Sequence, residues 1–129
     1  MKLSGLLVIF LLFIFLPSDS LSKLSYLDYL IKGKNSLNSG SFQEAEECLT
    51  EALKEFKEIG DYILLWRAIA YKKMNKYEEA LKDINELKKN YPKSPLIKDA
   101  RKEEIELAKL LNLPELEQIY QSFVNEYPE

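Results

Sequence analysis

The sequence contains no histidine and a single cysteine, Cys48. The side chain that most often acts as a general base at neutral pH is therefore missing, and no set of His and Cys ligands exists for zinc. One cysteine also excludes an internal disulfide. Cys48 lies between Ala45 and Ala52 on an apolar stripe, which predicts a small buried residue. We expect no metal, no cofactor and no catalytic constellation, so the chain is not predicted to be an enzyme.

Glycine and proline are scarce, with four and five residues, whereas leucine, glutamate, lysine and alanine are abundant. This composition favours helices over a sheet. Hydrophobic residues make up 47% and charged residues 30% of the 129 residues, which is typical of about one globular domain. A basic excess is also lacking, since 18 basic and 21 acidic residues give a formal charge of -3. Nucleic acid is therefore not an expected partner.

The longest apolar run stands at the N-terminus. Residues 1–20 carry a positive charge at Lys2, an apolar run over Leu6–Leu16 and then small polar residues, which is typical of a secretory signal peptide. The run is shorter than the roughly 20 residues that span a bilayer. A cleaved signal peptide, cut after Ser20, is favoured over an uncleaved N-terminal anchor; only the anchor would contact a membrane. We expect an exported protein of the periplasm or cell envelope.

Two helices joined by a tight turn are predicted between Asp61 and Pro95. The first, from Tyr62 to Met74, is apolar on almost every side, which requires cover from several neighbouring helices. The second has Asn75 as its predicted N-cap and Glu78 three residues on, as in a capping box. Its apolar residues recur every three or four positions and form one stripe. The opposite face is predicted to be solvated surface and carries Glu78, Glu79, Lys82, Asp83, Glu86 and Lys89.

The preceding segment repeats this pattern at an offset of 35 residues. The matched pairs are Gly33 with Ala68, Phe42 with Tyr77, Ala45 with Ala80, Leu49 with Ile84, and Ala52 with Leu87. Ser41 with Glu44 matches a capping box at the start of the second helix. Gly60 is predicted to end that helix as a C-terminal glycine, and Asp61 is predicted to cap the next one.

A third, divergent pair opens at Ser94-Pro95, with serine as the N-cap and proline at the first helical position. Tyr91-Pro92 recurs as Tyr127-Pro128, an offset of 36. The repeats are predicted at about residues 24–59, 61–92 and 94–128 of a helical domain over residues 22–129. No polar end cap follows the last repeat, so we expect an oligomer, another segment or a longer protein to cover that end.

The pattern resembles the tetratricopeptide repeat. It has a small residue inside the first helix, an aromatic residue at the start of the second, alanine three residues later and a proline after its end. The resemblance implies an all-α fold: an α-solenoid of three helix-turn-helix repeats, about six helices, after an N-terminal signal segment. Its small residues would lie where two helices approach most closely. The match departs at Tyr29 and Leu64, which hold the family's tryptophan position, and at Arg67, which holds a usually apolar one.

A narrower resemblance rests on Tyr91-Pro92-Lys93-Ser94-Pro95-Leu96 with Asp99-Ala100-Arg101, preceded by Ala68-Ile69-Ala70-Tyr71. These segments are similar to repeats of bacterial envelope proteins, including outer-membrane assembly and cell-division coordinator proteins, and in particular to the N-terminal helical superhelix of soluble lytic transglycosylases. The catalytic glutamate of those enzymes lies in a Glu-Ser pair of a separate lysozyme-like domain, and this pair does not occur here. The resemblance therefore implies a scaffold without the chemistry.

Two functions remain open. The first is an exported protein–protein interaction scaffold that binds another envelope protein or peptide. The second is the non-catalytic N-terminal part, or a fragment, of a soluble lytic murein transglycosylase, which would reach peptidoglycan through a missing downstream domain. A homo-oligomer through the uncapped C-terminal repeat is a further expectation.

The first helix of each pair lines the concave groove of such arrays. The candidate groove residues are Leu30, Lys34 and Leu37 in the first repeat, and Tyr62, Leu65, Trp66, Ile69 and Lys72 in the second. Aromatic rings beside lysine suit a peptide or a sugar strand. Packing between repeats is the alternative interpretation of the same residues.

Overall fold

Six α-helices form the part of the chain that the computed structural model describes, residues 18–129. They are α1 (Ser18–Ser39), α2 (Phe42–Glu55), α3 (Gly60–Lys73), α4 (Tyr77–Asn90), α5 (Ile97–Leu110) and α6 (Leu116–Glu126), with a short 3₁₀ turn at Lys57–Ile59. No strand occurs over these residues, which confirms the prediction of an all-α fold with six helices. The first 17 residues of the predicted signal segment lie outside the described residues.

Consecutive helices pair as α1 with α2, α3 with α4, and α5 with α6, and each pair also packs on the next one. The protein is an α-solenoid. The predicted cleavage position after Ser20 lies within the helix Ser18–Ser39. None of the helices within residues 18–129 combines the length and the apolar character needed to span a membrane.

The turn inside each pair contains one residue in the left-handed region: Gly40 (φ 84°), Asn75 (φ 60°) and Asn112 (φ 53°). After α3, the Lys76 N–H donates to the Tyr71 carbonyl at 2.9 Å and the Asn75 N–H to the Lys72 carbonyl at 3.1 Å. This is a Schellman motif, and Gly40 and Asn112 close α1 and α5 with the same two hydrogen bonds. The three helix pairs therefore share the same connection between their two helices.

Of the two N-terminal caps predicted at these turns, Asn75 is wrong and Ser41 is confirmed in position only. Asn75 ends α3 instead of opening α4, and Lys76 takes the N-cap position without a side-chain cap hydrogen bond. Ser41 holds the N-cap position of α2, as predicted, but makes no side-chain cap hydrogen bond. The capping box does not form because Glu44 instead accepts a hydrogen bond from the Ser36 hydroxyl at 2.7 Å.

Helix α3 lies between two apolar clusters. One joins α3 to α4 and α5 through Leu64, Leu65, Ala68, Ala80, Ile84, Leu87, Ala100 and Leu107. The other joins α3 to α2 through Ala45, Leu49, Ala52, Ile63 and Ala70. This confirms the prediction that α3 needs cover on several sides. Three matched pairs of the 35-residue offset are fully buried, namely Ala45 with Ala80, Leu49 with Ile84, and Ala52 with Leu87.

Two glycines mark close approaches between elements. A Cβ at Gly33 would lie 2.9 Å from Leu49 Cγ and 3.2 Å from Cys48 Cβ, so a larger residue would separate α1 from α2. The prediction that Gly60 ends α2 is wrong, because α2 stops at Glu55 and Gly60 is the first residue of α3. A Cβ at Gly60 would overlap the hydroxyl of Tyr91 and lie 2.7 Å from its Cζ.

The start of α3 is tied to the loop that precedes α5. Asp61 is 7% exposed and accepts a hydrogen bond from the Ser94 hydroxyl at 2.5 Å. Ser94 Oγ in turn accepts the Leu96 N–H at 3.1 Å. The prediction that Asp61 caps α3 is wrong, since Ile59 holds that position. Helix α5 begins at Ile97, three residues after the predicted cap at Ser94.

Candidate partner-binding face

The first helices of the three repeats, α1, α3 and α5, lie side by side. Lys34 of α1 places its ammonium 4.5 Å from the centroid of the Trp66 ring of α3. Lys72 of α3 donates to Glu103 of α5 at 2.5 Å and to Glu106 at 2.6 Å. These contacts create one continuous surface across the array. We call it the first-helix face and define it by Leu30, Lys34, Tyr62, Trp66, Ile69, Lys72, Glu103 and Glu106.

An aromatic corner stands at the α1–α3 end of this face. The rings of Tyr62 and Trp66 meet edge to face, with centroids 6.1 Å apart and an interplanar angle of 60°. Tyr62 is 38% exposed, and Trp66 is half-buried against the same apolar cluster as Leu30 and Leu37. Trp66 therefore serves packing, and its ring also contacts Lys34 and Tyr62.

The structure brings together Leu30, Lys34, Tyr62 and Trp66 of the predicted groove residues. Leu65 is only 9% exposed and belongs to the core between α3, α4 and α5, so it contributes packing and not surface. Ile69 is half-buried and packs against the same core. The packing interpretation therefore accounts for Leu65, and both interpretations apply to Trp66.

Glu103 and Glu106 are members of the face that the sequence analysis missed. Glu103 shares the Lys72 ammonium with Glu106. Burial would lower the pKa of Lys72, whereas its hydrogen bonds to the two glutamates raise it. The turn residues Asn75 and Asn112 are 37 positions apart, whereas the closing prolines are 36 apart. The offset of 37 aligns Glu103 with Trp66 and would have identified Glu103 as a residue of the face.

A polar network, also missed, connects α2, α3 and α4. The Arg67 guanidinium donates to both oxygens of Asp83, at 2.8 and 2.7 Å, and to the Thr50 hydroxyl at 3.0 Å. The Thr50 and Tyr71 hydroxyls both donate to Glu46, at 3.2 and 3.0 Å. The network explains how Arg67 occupies a usually apolar position, because its charge is neutralised inside the helix pair.

Asp83 is 2% exposed, so its prediction as solvated surface is wrong. Asp83 lies next to the buried Ile84, and its carboxylate is buried because it accepts hydrogen bonds from the Arg67 guanidinium. The sequence does contain a signal for this pair. Arg67 and Asp83 each stand eight positions from Asn75, and residues at equal distances from the turn face each other in an antiparallel helix pair. Burial raises the pKa of Asp83, although the Arg67 guanidinium opposes the shift. Both of its oxygens are engaged, which suits a structural role.

An acidic cleft lies away from the first-helix face. It measures about 480 Å³, runs between α1 and α2 and is lined by Tyr29, Lys32, Glu44, Glu46, Glu47, Cys48, Thr50 and Glu51. Cys48 is 6% exposed, which confirms its prediction as a buried residue, and burial raises the pKa of its thiol. Across residues 18–129, no group of acidic or thiol side chains is arranged to hold a metal ion.

Comparison with known families supports the repeat. The tetratricopeptide repeat model matches residues 62–94, the α3–α4 unit and the loop after it. No curated protein matches the chain, and the likeness to soluble lytic transglycosylases stays a prediction. Tetratricopeptide repeats bind other proteins through extended surfaces of this kind. With six helices over residues 18–129 and a matching central unit, the chain is a tetratricopeptide-like repeat protein and carries a protein–protein interaction module.

Proposed function

We propose that this chain is an exported scaffold that binds another protein of the cell envelope through its first-helix face. The aromatic corner of Tyr62, Trp66 and Lys34 carries this proposal. Tyr62 and Trp66 belong to the repeat that the family model matches, and repeat proteins of this kind bind partners through an extended concave surface.

The physical character of the corner suits protein binding. Tryptophan and tyrosine contribute large contact areas and are enriched among the residues that dominate binding energy. Trp66 packs on the α2–α3 cluster, so its ring is held in place before a partner arrives. A preorganised side chain loses little conformational entropy on binding. The face can therefore bind a partner without rearranging the helices.

Export is supported by the N-terminal sequence. Residues 1–20 have the charge, apolar run and small polar residues of a secretory signal. Mass spectrometry of the chain recovered from its host checks this, because cleavage after Ser20 leaves a protein that begins at Leu21. A chain with an intact Met1 in the membrane fraction indicates the N-terminal anchor, and a chain confined to the cytoplasm contradicts export.

The binding proposal is tested by affinity capture followed by reconstitution. Immobilised full-length chain is exposed to envelope extract, the captured protein is identified, and its Kd is then measured with purified components. We expect Trp66→Ala and Tyr62→Ala to weaken this binding. Tyr120→Ala serves as the matched control, because Tyr120 is 48% exposed on α6 and lies outside the face. A partner that binds both face variants as well as it binds the parent chain would show that the face is not the binding site.

A further inference from the structure

Two lysines of the first-helix face differ in how their charges are balanced. Lys72 has a side chain that is 17% exposed and two carboxylates at 2.5 and 2.6 Å. Lys34 lies over the Trp66 ring, and within residues 18–129 no carboxylate comes within 4.0 Å of its ammonium. The α1–α3 end of the face therefore carries a positive charge that the described part of the chain does not neutralise.

The α5 end of the face has the opposite balance. Glu103 and Glu106 share the single ammonium of Lys72, so these three side chains together carry one negative charge in excess. Glu106 keeps 64% of its side chain exposed, which leaves it accessible to a partner. The face is thus positive at the aromatic corner and negative at α5, with the half-buried Ile69 on α3 between the two.

This charge pattern defines the chemistry of a complementary occupant. A carboxylate that approaches Lys34 gains a charge-assisted hydrogen bond, which is stronger than a neutral one. A neighbouring apolar side chain can at the same time pack against Tyr62 and Trp66. A basic side chain further along the occupant meets the exposed carboxylate of Glu106. Complementary charges of this kind fix the register and orientation of a bound segment.

Building on the proposed function, we propose that the occupant of this face is a linear segment of another protein that carries an acidic residue beside an apolar one, followed at some distance by a basic residue. The acidic residue binds Lys34, the apolar residue packs on the aromatic corner, and the basic residue binds Glu106. The segment therefore lies across α1, α3 and α5 in a single orientation.

The test uses synthetic peptides and the full chain. An array of short peptides combines an acidic, an apolar and a basic residue at varied spacings, and the tightest binder is measured in solution by fluorescence anisotropy. Replacing its acidic residue by glutamine should raise Kd about tenfold, as expected for a lost charged hydrogen bond. Lys34→Gln should raise the Kd of the original peptide by a similar factor. The peptide with glutamine in place of its acidic residue should bind the Lys34→Gln variant and the parent chain equally. Glu106→Gln should show the same coupling to the basic residue.

Two comparisons keep the result interpretable. Lys89→Gln removes an exposed lysine of α4, outside the face, and should leave Kd unchanged. Lys34→Glu should weaken the original peptide and restore binding of a peptide whose acidic residue is replaced by lysine. This rescue requires a folded protein, so it excludes unfolding as the cause of the loss.

The outcomes separate this inference from the proposed function. Peptides that bind in a Trp66-dependent way but show no coupling to Lys34 or Glu106 overturn the inference and leave the binding face intact. An array in which no peptide depends on Trp66 counts against a linear occupant. A dimer in sedimentation that dissociates with Trp66→Ala would identify a second copy of the chain as the occupant and would also overturn the inference.

Discussion

Arg67 and Asp83 form a bidentate ion pair across the α3–α4 unit. The guanidinium Nε lies 2.8 Å from Oδ2 and Nη2 lies 2.7 Å from Oδ1, and the two side chains are 14% and 3% exposed. Hydrogen bonds to Asp83 raise the pKa of Arg67, although burial alone would lower it. Both residues are charged and largely removed from water, so each depends on the other for stabilisation.

Removing one partner of this pair should destabilise the fold. We expect Asp83→Ala to lower the free energy of unfolding by about 3–5 kcal/mol, because it leaves a buried arginine without a counter-charge. Urea denaturation followed by circular dichroism measures the change. Lys82→Ala, at the exposed neighbouring position, should shift it by only about 0.5 kcal/mol or less.

Replacing the pair as a whole should cost far less. Apolar side chains of similar volume avoid the desolvation of two charges, so Arg67→Met with Asp83→Leu should recover most of the stability lost by Asp83→Ala alone. A double variant as unstable as the single one would mean that the pair supplies specific stabilisation that packing cannot replace.

Gly60→Ala should destabilise the protein even though it places a better helix former in α3. The gain in helix propensity is at most about 1 kcal/mol, the value for a helix interior, because Gly60 is the first residue of α3. A new Cβ would overlap the Tyr91 side chain, and overpacking typically costs about 1–3 kcal/mol. The net effect should therefore be a lower melting temperature. In a Tyr91→Leu background the same substitution should become neutral or stabilising, and an equal loss in both backgrounds would contradict the overlap as its cause.

Asn75 should tolerate glycine better than a β-branched residue. Its φ of 60° is open to glycine, while a side chain other than Asn or Asp pays about 1–2 kcal/mol in the left-handed region. Asn75→Val should therefore lower the free energy of unfolding by this amount, with Asn75→Gly as the matched control near zero. If both variants unfold at the same denaturant concentration, the Schellman turn does not determine the stability of the α3–α4 unit.

The sequence predicted the repeats well because their signals are local or periodic. Small residues at matched positions, such as Ala45 and Ala80, fixed the register, and both are fully buried. The caps were harder, since asparagine suits a helix N-cap and a left-handed C-terminal position equally. Only the point where α3 ends decides between them for Asn75, and a residue pattern locates helix ends poorly.

Long-range contacts were the part that the sequence could not supply. The role of Gly60 depends on Tyr91, which is 31 positions away, and Asp83 looked like any other charge on a polar helix face. The aromatic corner was predictable because Lys34, Tyr62 and Trp66 follow from the repeat register. Its acidic counterpart at Glu103 and Glu106 was not, because α3 and α5 align at an offset of 37 residues, whereas the closing prolines suggest an offset of 36.

Tyr71 should give the protein a specific weakness at alkaline pH. Burial and a hydrogen bond to Glu46 raise the pKa of Tyr71 to about 12, from an ordinary value of 10.0. The folded state therefore keeps this proton more tightly than the unfolded state does. The resulting stabilisation is fully present below pH 10 and is lost as the pH rises from about 10 towards 12. Tyr71→Phe cannot ionise, so the variant should lose less stability than the parent chain across this interval. Urea denaturation at pH 9 and at about pH 11 measures the difference, and identical losses in the two proteins would show that Tyr71 is not the group responsible.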